Sequence, residues 1–188
     1  LRDRLSIPMI YVSHQFDEVL RLATHVVLLE AGKVVAQGSP AEVSLEPALR
    51  AIVGPEAVGA VLDGTISRAE RDGKLAELQL GRGVLHISAR DIEVGAKVRV
   101  QLLARDIILA TEPPHALSVR NSIKGVVDDV VIDDDDARLV RVDIGGAIVL
   151  ARVTAAAVEA LTLQRGSAVW VLIKSVSIET YESRARAS

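Results

Sequence analysis

Two stretches of this 188-residue chain carry the same succession of short β-rich runs, and that repetition limits the fold more than any other feature. The first set is 75–80, 84–87, 97–103 and 107–109, divided by Asp72-Gly73, Gly81-Arg82-Gly83 and Val94-Gly95-Ala96 turns. The second is 125–127, 139–144, 147–150, 168–174 and 176–178, in matching order. Gly64-Thr65-Ile66-Ser67 answers Gly125-Val126-Val127-Asp128, and the run from Val100 to Ile108 answers that from Val169 to Ser177. Glu112-Pro113-Pro114 separates the sets, because consecutive prolines cannot continue a ladder. The second copy adds a short helix over 154–161, with Thr154 as its N-cap. Each copy is then a five-strand unit of about sixty residues, which buries little apolar surface alone. The two copies, or two chains, are expected to pack together.

The chain ahead of the repeats has a different texture. Residues 7–12 form a short apolar run, as a strand buried on both faces would. From Gln15 to Ala23, Phe16, Val19, Leu20 and Ala23 fall at i, i+3, i+4 and i+7 and make one apolar helical face. Residues 25–30 and 33–37 read as a hairpin turning on Ala31-Gly32. Ser39-Pro40-Ala41-Glu42 starts a helix, with a capping serine and proline at the first helical position. The expected organisation is an α/β segment over 1–57, a first OB-like β repeat over 58–115 and a second over 116–188.

Composition narrows the function classes. Aromatics make up 2% of the chain, too few for base-stacking platforms, and a net charge of −3 argues against a phosphate-backbone binder. Nucleic acid is not an expected partner. The absence of cysteine excludes disulfides and thiolate metal sites, and His14, His25, His86 and His115 are not at metal-ligand spacing. No apolar run approaches about 18 residues, so no membrane span is expected, and no charged-then-apolar leader begins the chain.

His14 follows the apolar run at 7–12, the place where open α/β sheets present ligand-binding groups. An imidazole there can donate a hydrogen bond to a phosphate, or simply cap the next helix. Ser13-His14, the acidic helix after it, the glycine hairpin and the closing Gln37-Gly38-Ser39-Pro40 together resemble the last third of an ABC-transporter ATPase over about forty positions. The resemblance implies that His14 is the switch-loop residue that senses the γ-phosphate, and that ATP and magnesium serve the intact parent. No G-x-x-x-x-G-K-[ST] loop, Asp-Glu-ended strand or signature motif occurs in these residues, so this chain alone is expected to bind ATP poorly and not to hydrolyse it.

The other constellation lies in the later repeat. Ser118-Val119-Arg120-Asn121 follows the diproline, and Lys174-Ser175 ends the last strong apolar run. A tetrahedral oxyanion offers only acceptors, so its site needs donors and positive charge without carboxylates, which these side chains supply. A helix starting at Thr154 would add backbone N–H groups. Singly, Arg120 and Lys174 are equally consistent with solvated surface charges. The order Ser-x-Arg-Asn, then Val153-Thr154, then Leu163-x-x-Gly166-x-x-Val169 with Ile173-Lys174-Ser175 resembles the molybdate-binding Mop domain over roughly 117–180. The resemblance implies that Ser118, Arg120, Thr154, Lys174 and Ser175 line an oxyanion site, and Asn121 is included as a candidate ligand.

At the position of Lys174-Ser175 the first repeat carries Arg105-Asp106, a compensated cation, so that repeat is expected to be structural. Asp133-Asp134-Asp135-Asp136 lacks the spacing of a calcium loop and reads as a solvated hairpin tip. Together the resemblances imply the carboxyl-terminal part of a molybdate importer's ATP-binding subunit. It would sit on the cytoplasmic membrane face as a homodimer against an integral-membrane permease, with molybdate or tungstate as ligand. A stand-alone oxyanion store, or an importer ATPase for another cargo, are the competing readings.

Overall fold

The structure is a computed structural model and describes residues 9–70, 75–81, 83–88, 92–175 and 178–182. Asp72-Gly73, Arg82, Val176 and Ser177, like Ile7 and Pro8, lie outside those residues. Of the strand expected over 7–12, Met9 to Val12 are described and are irregular, and Ile10 is 94% exposed. A strand needs a ladder partner, and none among the described residues lies beside this run. Helix α1 (Phe16–Leu22) follows, then the hairpin β1 (Val26–Glu30) and β2 (Lys33–Gly38). Ala31 and Gly32 take φ of +48° and +78°, the left-handed pair that a two-residue hairpin requires.

Helix α2 (Pro40–Ser44) opens on a full capping box. Glu42 N–H donates to Ser39 Oγ, and the Ser39 N–H returns a 2.7 Å bond to Glu42 Oε2. Helix α3 (Pro47–Val53) also carries proline in its first turn and ends at Gly54, φ +80°.

Two five-stranded antiparallel sheets make up the rest: β3 (Gly59–Ala69), β4 (Leu75–Leu80), β5 (Gly83–Ser88), β6 (Lys97–Leu103), β7 (Ile108–Ala110), β8 (Asn121–Ile132), β9 (Ala137–Asp143), β10 (Ile148–Thr154), β11 (Ala168–Ile173) and β12 (Glu179–Glu182), with helix α4 (Ala155–Ala160) after β10. The repeat is exact to the hydrogen bond. A Cβ on Gly64 would meet Gln79 O at 2.6 Å, and one on Gly125 would meet Asp143 O at 2.9 Å. Each glycine lets the partner strand approach, and each is followed by a bulge that bends the long first strand. The bent strands close each barrel alike: Ile66 N–H donates to Ala96 O, and Val127 N–H to Ser167 O, both at 2.9 Å.

The two units exchange their last strands. Sheet order is β12-β6-β3-β4-β5 in one and β10-β9-β8-β11-β7 in the other. Strand β7 from the first repeat thus pairs with β11, and β12 from the second repeat pairs with β6, across the boundary expected at residue 115. Of the strand expected at 176–178 only Ile178 is described, and β12 begins at the next residue, Glu179. One continuous apolar cluster runs from Ala60 and Leu62 through Val100 and Val140 to Ile173 and Ile178. The barrels therefore share a core, which is how two units of this size bury enough surface.

Candidate functional site

The segment carrying His14 is tied to the first barrel. Ser13 Oγ donates to Glu18 Oε2 at 2.7 Å and accepts from Gln15 N–H, which fixes the turn into α1, and His14 is exposed beside it. Glu18 is held below the usual carboxylate range, first by the Tyr11 hydroxyl and then by Ser13. At its other end, α1 presents the carbonyls of Leu20 and Ala23 to Arg99 Nη1 at 3.0 and 2.9 Å. Arg99, buried on β6, is itself held by Asp63 at 2.8 Å. Leu20 packs on Val61 and Tyr181, with the Arg21 guanidinium 5.5 Å from the Tyr181 ring centre. Burial and the neighbouring Glu179 push the Tyr181 hydroxyl well above its ordinary range, so it stays protonated and donates to Glu179 Oε2. Sequence reasoning missed Arg99 and Tyr181. A lone arginine in an apolar strand was the available signal.

The oxyanion candidates divide into three groups. Ser118 and Arg120, on the arm entering β8, and Lys174, at the exit of β11, are exposed. The register brings these elements together, because Asn121 pairs with Ile173. Ser175 is nearly buried at the same end. Neither Arg120 nor Lys174 has an ion-pair or hydrogen-bond partner among the described residues. Arg68, Arg99, Arg105, Arg141, Arg152 and Arg165 each lie beside a carboxylate.

Asn121 is only 2% exposed and its polar atoms are fully used. Its Oδ1 accepts from His86 N–H at 2.6 Å, and its Nδ2 donates to His86 O at 2.9 Å and to Ile173 O and Ser175 Oγ at 3.3 Å each. It has no donor left for a ligand.

Thr154 stands apart from both. It caps α4, accepting from Ala157 N–H at 3.1 Å, and Ala155 N–H is taken by Asp136 O. It pairs with Ala137, next to the Arg138–Ile132 pair that ends β8. Thr154 and Lys174 therefore lie at opposite ends of β8 within one chain.

Two expectations need correction. The Arg105-Asp106 comparison fails on register. Gly64 pairs with Val98 as Gly125 pairs with Val169, which sets the counterparts of Lys174 and Ser175 at Leu103 and Ala104. The first repeat lacks the donor set because its side chains there are apolar. Arg105 instead binds Glu56, through the carbonyl at 2.9 Å and the carboxylate at 3.1 Å.

Asp133 is not part of a solvated tip. Its carboxylate lies between Arg50 Nε at 2.8 Å and Arg152 Nε at 2.6 Å, with its side chain 1% exposed. Burial opposes ionisation of the neighbouring Asp134, but the N–H groups of Ala137 and Asp136 and then Arg152 outweigh it and lower its pKa. The sequence showed four aspartates; the cations that bury the first come from α3 and β10.

A family model described as the TOBE domain matches residues 117–179. The molybdenum import ATP-binding protein ModC of Methylococcus capsulatus is 42% identical over 181 residues, or 95% of this chain and 50% of that protein. ModC 2 of Azotobacter vinelandii and ModC of Rhizobium etli are each 36% identical over 179 residues, again covering 95% of this chain and 50% of theirs. The chain thus spans about half the length of the curated relatives it matches. Among solved structures, the cytoplasmic molybdate-binding protein ModG, crystallised with molybdate, superposes with a TM-score of 0.58 at 23% identity. That match covers 65% of this chain and 95% of ModG, and it shows the shared fold.

Proposed function

The chain belongs with the carboxyl-terminal part of the molybdenum import ATP-binding proteins, and on that premise we propose that it is the sensing end of a molybdate importer's ATP-hydrolysing subunit. The tandem barrels bind the cytosolic oxyanion where β8 starts and β11 ends, through Ser118, Arg120, Lys174 and Ser175. The observation that carries this is the bare pair Arg120 and Lys174, two cations without carboxylates beside two hydroxyls, in a barrel where Arg141, Arg152 and Arg165 are each ion-paired. An acceptor-only tetrahedral anion is the ligand that such a set suits. Thr154, remote in its own chain, joins a site only from a second copy, which supports a homodimer.

In the intact parent, His14 senses the γ-phosphate of magnesium ATP, and a membrane permease on the cytoplasmic face supplies the path for the cargo. No helix among the described residues is long and apolar enough to cross a membrane. Oxyanion at the barrels then slows import by favouring one arrangement of the two subunits. Such feedback requires different affinities in the two arrangements.

Calorimetry with molybdate on the whole chain tests the site. The region 116–188 is unsuitable by itself, because β7 and β12 are exchanged between the sheets. Replacing both Arg120 and Lys174 with alanine should weaken binding by at least about a hundredfold, two charge-assisted contacts being lost. Unchanged affinity in that variant would refute the assignment.

A further inference from the structure

The bonding pattern of Asn121 is that of a strand residue supplied by a side chain. Strand β5 is an edge of its sheet, and at His86 both the N–H and the C=O face away from β4. The Asn121 amide accepts from one and donates to the other, as a neighbouring strand would. The same amide reaches back to Ile173 O and Ser175 Oγ, the two groups that flank Lys174. The equivalent position in the first repeat is Ala60, by the register that equates Gly64 with Gly125, so this clamp is built once.

We propose that Asn121 is a positioning residue for the oxyanion site, pinning the Ser118–Arg120 arm and the Ser175 hydroxyl to the free edge of the first barrel. The proposal rests on the oxyanion reading of that site. Its chemical logic lies in the direction of the Ser175 proton. An amide N–H donated to Ser175 Oγ occupies a lone pair on that oxygen, which turns the hydroxyl hydrogen away from Asn121. The hydroxyl is then presented as a donor, the only role an acceptor-only anion can use. The first barrel, which has no donor set of its own, becomes the wall against which the second is adjusted.

The test is molybdate calorimetry on the whole chain for wild type, Asn121→Ala, Ser175→Ala and the double variant, each checked for folding by circular dichroism. Loss of a group that orients a ligand predicts about tenfold weaker binding in Asn121→Ala. The double variant should bind little worse than Ser175→Ala, because Asn121 acts through Ser175. Additive losses would make Asn121 a direct ligand and overturn the proposal, and so would undiminished affinity in a folded Asn121→Ala. If that variant does not fold, His86→Pro decides. Proline removes the N–H given to Asn121 while sparing the ladder to β4, and weaker binding is expected. Binding lost in Lys174→Ala but kept in both clamp variants leaves the site standing and removes the clamp's role. A wild-type chain that does not bind molybdate removes both.

Discussion

Asp133 shows how far a residue's surroundings can depart from its sequence neighbourhood. It heads a run of four aspartates, yet its carboxylate sits between Arg50 and Arg152 and is almost wholly buried. Removing one partner from such a pair strands the others, so Asp133→Ala should cost about 3 kcal/mol in urea unfolding. By contrast Glu56, whose side chain is 67% exposed, contributes a screened surface pair with Arg152 and Arg105. Glu56→Gln should change stability by less than about 1 kcal/mol, and equal losses in the two variants would contradict this account. The types and order of Ser118, Arg120, Lys174 and Ser175 can be read from two short motifs, and their role toward an oxyanion is what calorimetry is to decide. The burial of Asp133 and the clamp of Asn121 were not legible in the sequence, since each is decided by groups contributed from elements far away in sequence.

Among the elements, the strands were legible from alternation and the turns from glycine, down to the left-handed Ala31-Gly32 pair. Pairing partners were not, because a period of two tells which side chains turn inward but not whose core they enter. The link between α1 and the first barrel illustrates this. Leu20 is 1% exposed against Val61 and Tyr181, and Leu20→Ala should lower stability by about 3 kcal/mol. Arg99→Lys keeps the charge but loses the fork that grips both Asp63 and the α1 carbonyls. Amide exchange in 16–23 should accelerate in that variant while β8 and β9 stay protected, and unchanged exchange in α1 would sink the idea that Arg99 holds it.

Helix α2 carries a pH signature. The Ser39 N–H, then its hydroxyl, holds Glu42 below its ordinary pKa of 4.5. A carboxylate lowered by folding stabilises fully above its unfolded pKa and loses that contribution as pH falls through its folded one. Melting temperatures at about pH 6 and about pH 3 should therefore differ less in Glu42→Gln than in wild type. An equal difference would remove the capping box from the acid response.

At the scale of the molecule, β7 and β12 each pair across the boundary expected at 115, an exchange that no periodicity announces. The alternation within each final strand is the same, so it does not tell which sheet takes which strand. Residues 58–115 and 116–188 expressed separately should fail to give stable monomers by size-exclusion and circular dichroism, whereas mixing them should restore one folded complex. Stable separate monomers would contradict the shared core. The exchange also imposes a schedule on the ribosome. Strand β6 ends at Leu103 and waits for the strand that begins at Glu179, an interval of roughly 4–15 s at typical elongation rates. Throughout that interval the finished part of the first barrel exposes a bare strand edge to every other nascent chain in the polysome. Neighbouring copies are then the readiest source of a substitute β12, which makes the rate of translation through this stretch a determinant of how much protein emerges correctly paired.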